Sequence, residues 1–298
     1  MVMKSIREAV VGGSFVCCFP TTYGVFFRHD REEAVPSNFL SGLDLGTART
    51  YQGVLIRVHD KEAAMSMYSK FAEWYDRIFP FSPGVYAFLN HHLGDRGGPV
   101  LDLGCGTGDY CSAFTRDGIQ AVGLDLDQAM VSQARTRAPE TEFHVLDMAE
   151  FRTLGGPWSM IYCIGNTAAH LPQGRFWSCV EDVAERLLPD GVWIVQVMNW
   201  DYVLGLPSFV FPPKVMEGAV FHRAYEDITP ESLTFRTGLD IEGRRVFDDQ
   251  VRLHPLPSAD IVAGHEARGF RLVEHVSDYA GSGFDPDVFS ANIFVFTR

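Results

Sequence analysis

The residues best suited to bind a ligand lie in Val100-Leu101-Asp102-Leu103-Gly104-Cys105-Gly106-Thr107-Gly108. An apolar run enters a glycine-rich turn that opens a helix, and there the missing side chains let a ligand approach the backbone. The spacing is G-x-G-x-G. A dinucleotide turn has G-x-G-x-x-G with a pyrophosphate at the helix N-terminus, where this chain carries Asp109, poor company for phosphate. A nicotinamide-dependent oxidoreductase therefore fits less well, and a tight turn without ligand is the plain alternative. Two more carboxylates end β-rich runs, Asp125 after Val122-Gly123-Leu124 and Asp147 after Phe143-His144-Val145-Leu146. Asp125 could be a helix N-cap, although Asp127, just before Gln128, fills that role better. Cys163-Ile164-Gly165-Asn166-Thr167-Ala168-Ala169-His170-Leu171-Pro172 adds a Gly-Asn turn and a histidine. His170 either bonds a loop carbonyl or stands near a substrate as a base. Arg223 and Tyr225 alternate with His222 and Ala224, so they share one strand face, turned either into a site or to solvent.

These residues are positioned by an alternation of β-rich runs and amphipathic helices, which predicts an α/β fold with a doubly wound, mostly parallel sheet. The strands read as Val100 to Leu103, Ala121 to Leu124, Glu142 to Val145, Met160 to Ile164, Val192 to Val197, Arg271 to Val276 and Ala291 to Phe296. Helices fall near Tyr110 to Thr115, Gln128 to Arg137, Arg175 to Leu188 and Ala259 to Arg268. Only a loop separates the last two strands, which predicts an antiparallel hairpin and hence an antiparallel last strand. An insertion of about residues 205–257 follows the fifth strand, with alternating segments at Phe221 to Tyr225, Leu233 to Ile241 and Arg245 to Leu253 that suggest an antiparallel lid. Ahead of the sheet, Phe71, Trp74, Tyr75, Ile78 and Phe79 recur at helical spacing from Tyr68 until Pro80 and Pro83, and a second helix runs from about Val85 to Leu93. The two form an N-terminal helical cap, with Tyr68 and Tyr75 as its packing residues. Residues 1–64 show no sustained period of 3.6 or 2 and read as an appended arm of uncertain structure, with 65–298 as the domain. A start at Met65 or Met67 would explain the same contrast.

From the glycine turn onward the sequence resembles the class I S-adenosylmethionine-dependent methyltransferases, whose first motif is an acidic residue followed by x-G-x-G-x-G. The resemblance implies a Rossmann-like seven-stranded sheet and S-adenosyl-L-methionine as cofactor. It places Asp102 and Gly104 at the methionine end, Cys105, Gly106 and Gly108 along the turn, and Asp125 with Leu126 at the ribose. It also puts Asp147 and Met148 at the adenine, and Cys163 and Ile164 at the end of the fourth strand. The 163–172 run is similar to the C-[LI]-G-N-[ST]-x-x-H-L of the glycine and sarcosine N-methyltransferase group, as is Val195-Gln196-Val197-Met198-Asn199-Trp200-Asp201-Tyr202 to its fifth strand. His170 and Asn199, from the two runs that carry the likeness, Tyr68 at the helix start, from where it could reach the sulfonium, and Arg223 on its strand face are the candidates at the reacting end. That group has an Arg immediately before the Asn, gripping an amino acid carboxylate, and this chain has Met198, so the resemblance implies an acceptor other than glycine unless Arg223 supplies the charge. The group also uses an N-terminal segment to assemble oligomers, which makes a homo-oligomer an expectation.

The expected reaction is methyl transfer from S-adenosylmethionine to an N or O nucleophile of a small molecule, with a non-catalytic S-adenosylmethionine-binding protein as the rival. Composition narrows the partners. With 46% hydrophobic and 21% charged residues over 298 positions the chain is globular. Its net charge of −13 falls wholly on residues 65–298 and gives no footprint for nucleic acid or an anionic membrane. The six cysteines form no C-x-x-C pair, so neither a metal site nor a disulfide framework is expected, and a cytoplasmic compartment is. Ala9 to Phe27 is uncharged but broken by Gly12-Gly13 and Pro20, unlike a spanning helix or signal peptide.

Overall fold

The computed structural model describes residues 74–298 in full and, before them, the backbone of Arg7–Val11, Ser14–Cys18, Gly24–Phe27, Thr50–Tyr51 and Val54–Leu55. Tyr68 and the first half of the expected cap helix lie outside the described residues. The chain divides into two compact units, Met1–Glu62 and Ala63–Arg298. In the first, three of the strands pair as an antiparallel meander and the other two pair with each other. These strands are two to five residues long, too short for an alternation to register in the sequence.

In the second unit the strands β1 (Val100–Leu103), β2 (Ala121–Asp125), β3 (Glu142–Val145), β4 (Trp158–Cys163) and β5 (Leu187–Met198) are followed by an insertion and then by β11 (Arg271–Val276) and β12 (Ala291–Thr297). The sheet order is β3-β2-β1-β4-β5-β12-β11, with β12 antiparallel to both of its neighbours and the first five strands parallel. Strands buried on both faces read as continuous apolar runs, which is why they were legible. Leu101, Leu103, Ile161, Trp193 and Val195 pack on one face with α5 (Gln173–Arg186) and α7 (Ser258–Glu266). Val100, Met160, Tyr162 and Ile194 pack on the other with α2 (Pro83–Leu93), α3 (Asp109–Arg116) and α4 (Gln128–Arg137).

The cap differs from expectation in one respect. Its described part is a single turn, α1 (Tyr75–Ile78), and Pro83 does not stop a helix but opens α2 at its first position, where a missing N–H costs nothing. Between β5 and α7 stand α6 (Trp200–Val203) and a five-stranded antiparallel sheet of β6 (Phe209–Val210), β7 (Lys214–Met216), β8 (Ala219–Glu226), β9 (Leu233–Ile241) and β10 (Arg244–Leu253). Both β6 and β7 pair with β8, and neither was foreseen, since two or three residues carry no period. No helix among the described residues is long and apolar enough to cross a membrane.

Candidate active site

The site assembles where the parallel strands end. Gly104 and Cys105 N–H groups both donate to Leu124 O at 2.8 Å, which ties the turn after β1 to the end of β2. Asp125 completes that tie: its Oδ2 accepts from Gly106 N at 2.9 Å and its Oδ1 from Asp127 N at 2.8 Å. Burial raises the Asp125 carboxyl to about 6, and the backbone N–H groups of Asp127, Gly106 and Leu126 hold it from rising further. The N-cap of α4 is Asp127, accepting from Ala129 N and Met130 N, which leaves Asp125 facing the turn.

Gly106, with φ +55°, packs under the Tyr75 ring, and a Cβ there would approach it to 3.1 Å. The cap helix is fixed over this turn by Asp76, which accepts from Thr107 Oγ1 at 2.5 Å and from Arg137 at 2.6 Å, while Arg137 also donates to Asp109 at 2.9 Å. Asp109, the feature that argued against a pyrophosphate, is thus part of the clamp that holds α1. Nothing in the sequence singled out Asp76.

Asp102 lies beneath the turn, 2% exposed, and its Oδ1 has no hydrogen-bond partner among the described residues. Burial lifts its carboxyl to about 8. Cys105 and Cys163 are thiols that burial pushes up, so neither is poised as a nucleophile. Asp147 N-caps the 3-10 turn Met148–Leu154 by accepting from Ala149 N, and its Oδ2 takes a hydrogen bond from Arg175 at 3.0 Å. Met148 O accepts a long hydrogen bond from Cys179 Sγ.

The turn after β4 borders the glycine turn: a Cβ on Gly104 would fall 2.4 Å from Thr167 Cγ2. Gly165 and Asn166 both have positive φ, a conformation that glycine and asparagine tolerate best, and this accounts for the Gly-Asn pair. The turn is pinned to β5. Gln196 Oε1 accepts from Gly165 N at 2.6 Å and from Asn166 N at 3.3 Å, and Asn166 Oδ1 accepts from Met198 N at 3.0 Å. Gln196 was missed, although a buried amide within an apolar strand is itself a signal.

Two of the residues expected at the reacting end need correction. Asn199 is fully buried and saturated: its Nδ2 donates to Asp285 O, Pro286 O and Val288 O at 2.9 to 3.1 Å, and its Oδ1 accepts from Tyr202 N. It anchors the loop before β12 and cannot meet an acceptor. His170 is held down to about 4 by burial and by His254, so it is neutral at pH 7 but too weak a base to match that pH. Arg223 stands on β8 with its guanidinium 4.5 Å over the Phe211 ring. It shares a strand face with Phe221, whose ring meets Phe79 at 5.8 Å, and Phe79 in turn meets Tyr75 at 5.3 Å. That row of rings links the insertion to the glycine turn.

The sequence model of the family described as "Methyltransferase domain" matches residues 100–191, from β1 through α5. Over residues 100–191 the chain matches a methyltransferase domain, in line with the resemblance of its motifs to the class I methyltransferases. S-adenosylmethionine is the methyl donor of this class, and the site fits it: a buried carboxylate at Asp102 whose Oδ1 has no hydrogen-bond partner among the described residues, a glycine turn closed by Tyr75, and a second carboxylate at the end of β2. Around the domain, the chain is similar to the dTDP-3-amino-3,4,6-trideoxy-alpha-D-glucopyranose N,N-dimethyltransferase of Streptomyces venezuelae, at 34% identity over 33% of this chain and 41% of that one. It is similar to the glycine N-methyltransferase of Rattus norvegicus at 25% identity, over 51% of this chain and 57% of the relative. The chain therefore spans about half the length of the curated relatives it matches. The structure of the CcbJ methyltransferase from Streptomyces caelestis superposes with a TM-score of 0.67 at 21% identity, covering 77% of this chain and 97% of that one.

Proposed function

We propose that the protein transfers a methyl group from S-adenosylmethionine to a nitrogen of a small molecule. The observation that carries the reading is the bonding of Asp125 to Gly106 N, which sets two strand-end carboxylates around one glycine turn. N-methylation is the reaction named for both curated relatives, on an amino sugar and on glycine, and it is favoured over O-methylation for that reason.

S-adenosylmethionine supplies an electrophilic methyl group on a good leaving group, so the chain's task is positioning and exclusion of water, worth about 7 to 11 kcal/mol in favourable cases. Asp102 and the Gly104 to Gly108 turn would hold the donor's charged end, Asp125 would accept from its ribose hydroxyls, and Tyr75 with Phe79 would shield the site from solvent. A protonated amine cannot attack. With His170 neutral and weakly basic, the acceptor loses its proton to solvent before it reacts. Met198 stands half-buried at the end of β5 with no charge to offer, so glycine, which presents little besides its carboxylate and amine, is a poor acceptor.

Incubation with methyl-labelled S-adenosylmethionine and a metabolite extract tests the reading. Label appearing on an amine supports it. Binding without labelled product would make the protein a sensor, and label on glycine at a rate matching the best acceptor would overturn the acceptor assignment.

A further inference from the structure

The inner face of the insertion sheet carries polar groups that the transfer reaction does not use. Arg223 on β8 and Thr237 on β9 are direct cross-strand partners, so their side chains leave the sheet on the same side. Lys214 on β7 is opposite Phe221, which lies two residues from Arg223 on that face. Thr237 is 2% exposed, and neither its Oγ1 nor Arg223 Nε has a hydrogen-bond partner among the described residues. Lys214 Nζ reaches the carbonyl of Ile78 at 2.7 Å and lies 4.5 Å over Phe79. Among the described residues no carboxylate forms an ion pair with Lys214 or Arg223, in a chain with 38 acidic residues and 25 basic ones. Asp249, the partner of Thr237 on β10, accepts from Gln250 N instead.

Burial and mutual repulsion depress Lys214, and burial depresses Arg223. Two half-buried cations on one sheet face with no ion-pair partner among the described residues oppose folding, and an arrangement that costs stability marks a binding role. Phe211 and Phe79 wall the cations with aromatic faces and contribute no acceptor.

We propose that Lys214, Arg223 and Thr237 form a subsite for an anionic group of the methyl acceptor, a phosphate or a carboxylate. The assignment of that ligand as the acceptor rests on the transferase reading; the binding of an anion does not. The rings of Phe79 and Tyr75 separate the subsite from the glycine turn, so the anionic group belongs to an extended acceptor and sits apart from the attacked nitrogen. Arg223 stacked on Phe211 presents a fixed fork to two oxygens, Lys214 adds a point charge, and the threonine hydroxyl donates a neutral hydrogen bond.

Calorimetric titration of the full chain with inorganic phosphate, and separately with acetate, at constant ionic strength tests the subsite and distinguishes the two sources of charge. Saturable binding of either anion is expected, weakened about tenfold or more by Arg223→Met and by Lys214→Met and by a smaller factor by Thr237→Val. Arg77→Met, which removes an exposed guanidinium stacked on Trp74, should leave it unchanged. The melting temperature of Arg223→Met in anion-free buffer should equal or exceed that of the parent, because a desolvated charge has been removed. Failure of both anions to saturate below about 10 mM, binding indifferent to both cation substitutions, or a lowered melting temperature for Arg223→Met would overturn the proposal. Loss of methyl transfer in the labelling experiment, with anion binding intact, would overturn only the transferase reading.

Discussion

Asp102 and His170 are displaced from their ordinary titration ranges in opposite directions by the same cause, burial. At about 8, the Asp102 carboxyl is protonated at pH 7 before any ligand is bound. An ammonium or sulfonium brought against it favours the carboxylate, so binding of S-adenosylmethionine at pH 7 should release a proton, and above about pH 9 it should release none. Calorimetry in two buffers of different ionisation enthalpy reads this directly, and enthalpies that agree between the buffers at pH 7 would contradict it. His170 at about 4 stays neutral from pH 5.5 to 9, so it contributes no limb to the rate profile there. His170→Gln should lower kcat by less than about tenfold, short of the 10²- to 10⁴-fold typical of a lost general base, and leave the shape of the profile unchanged. A hundredfold loss with a vanished limb would restore the base role.

At the scale of elements, β5 and the turns around it do more than their sequence announces. Asn199 links α6 to three carbonyls of the loop before β12, and Asp201 just beyond it accepts from Ser258 N, which joins the same corner to α7. Asn199→Ala would strand these carbonyls in a buried corner and should cost about 2 to 4 kcal/mol of stability, seen as a lower urea midpoint with cofactor affinity kept. A stable variant that has lost activity would return Asn199 to the reacting end. This corner also shows why parts of the molecule were legible and parts were not. The parallel strands and the glycine turn announce themselves through apolar runs and spacing, so β1 to β5 and Asp125 were placed within a few residues. A polar side chain that is saturated by backbone carbonyls looks, in sequence, the same as one that meets a substrate; Asn199 was misplaced for that reason. A buried amide in an apolar strand flags Gln196, but its partners Gly165 and Asn166, like the Ile78 carbonyl that Lys214 reaches, lie far off in the chain, where no local pattern records them. The Pro83 misreading was of the same kind, since proline both ends helices and begins them.

On the whole molecule, the division at residues 62 and 63 leaves the second unit with its own two-sided core and the complete set of strand-end residues. We therefore expect residues 65–298 alone to fold and to bind cofactor, with a melting temperature close to that of the full chain. A large drop, or lost binding, would assign residues 1–64 a packing or assembly role. The whole negative charge lies on this unit, and two cations on its insertion without an ion-pair partner among the described residues stand out against that background. In the proposed function, Asp125 and the glycine turn bind S-adenosylmethionine. Titration calorimetry of S-adenosylmethionine into the full chain and into Asp125→Ala tests it most directly. Loss of a charge-assisted acceptor costs about 1.5 to 3 kcal/mol, so binding to the parent chain should weaken about ten- to a hundredfold in the variant while the melting temperature without ligand stays within a few degrees. Equal affinity in the two proteins, or no binding to either, would contradict the account.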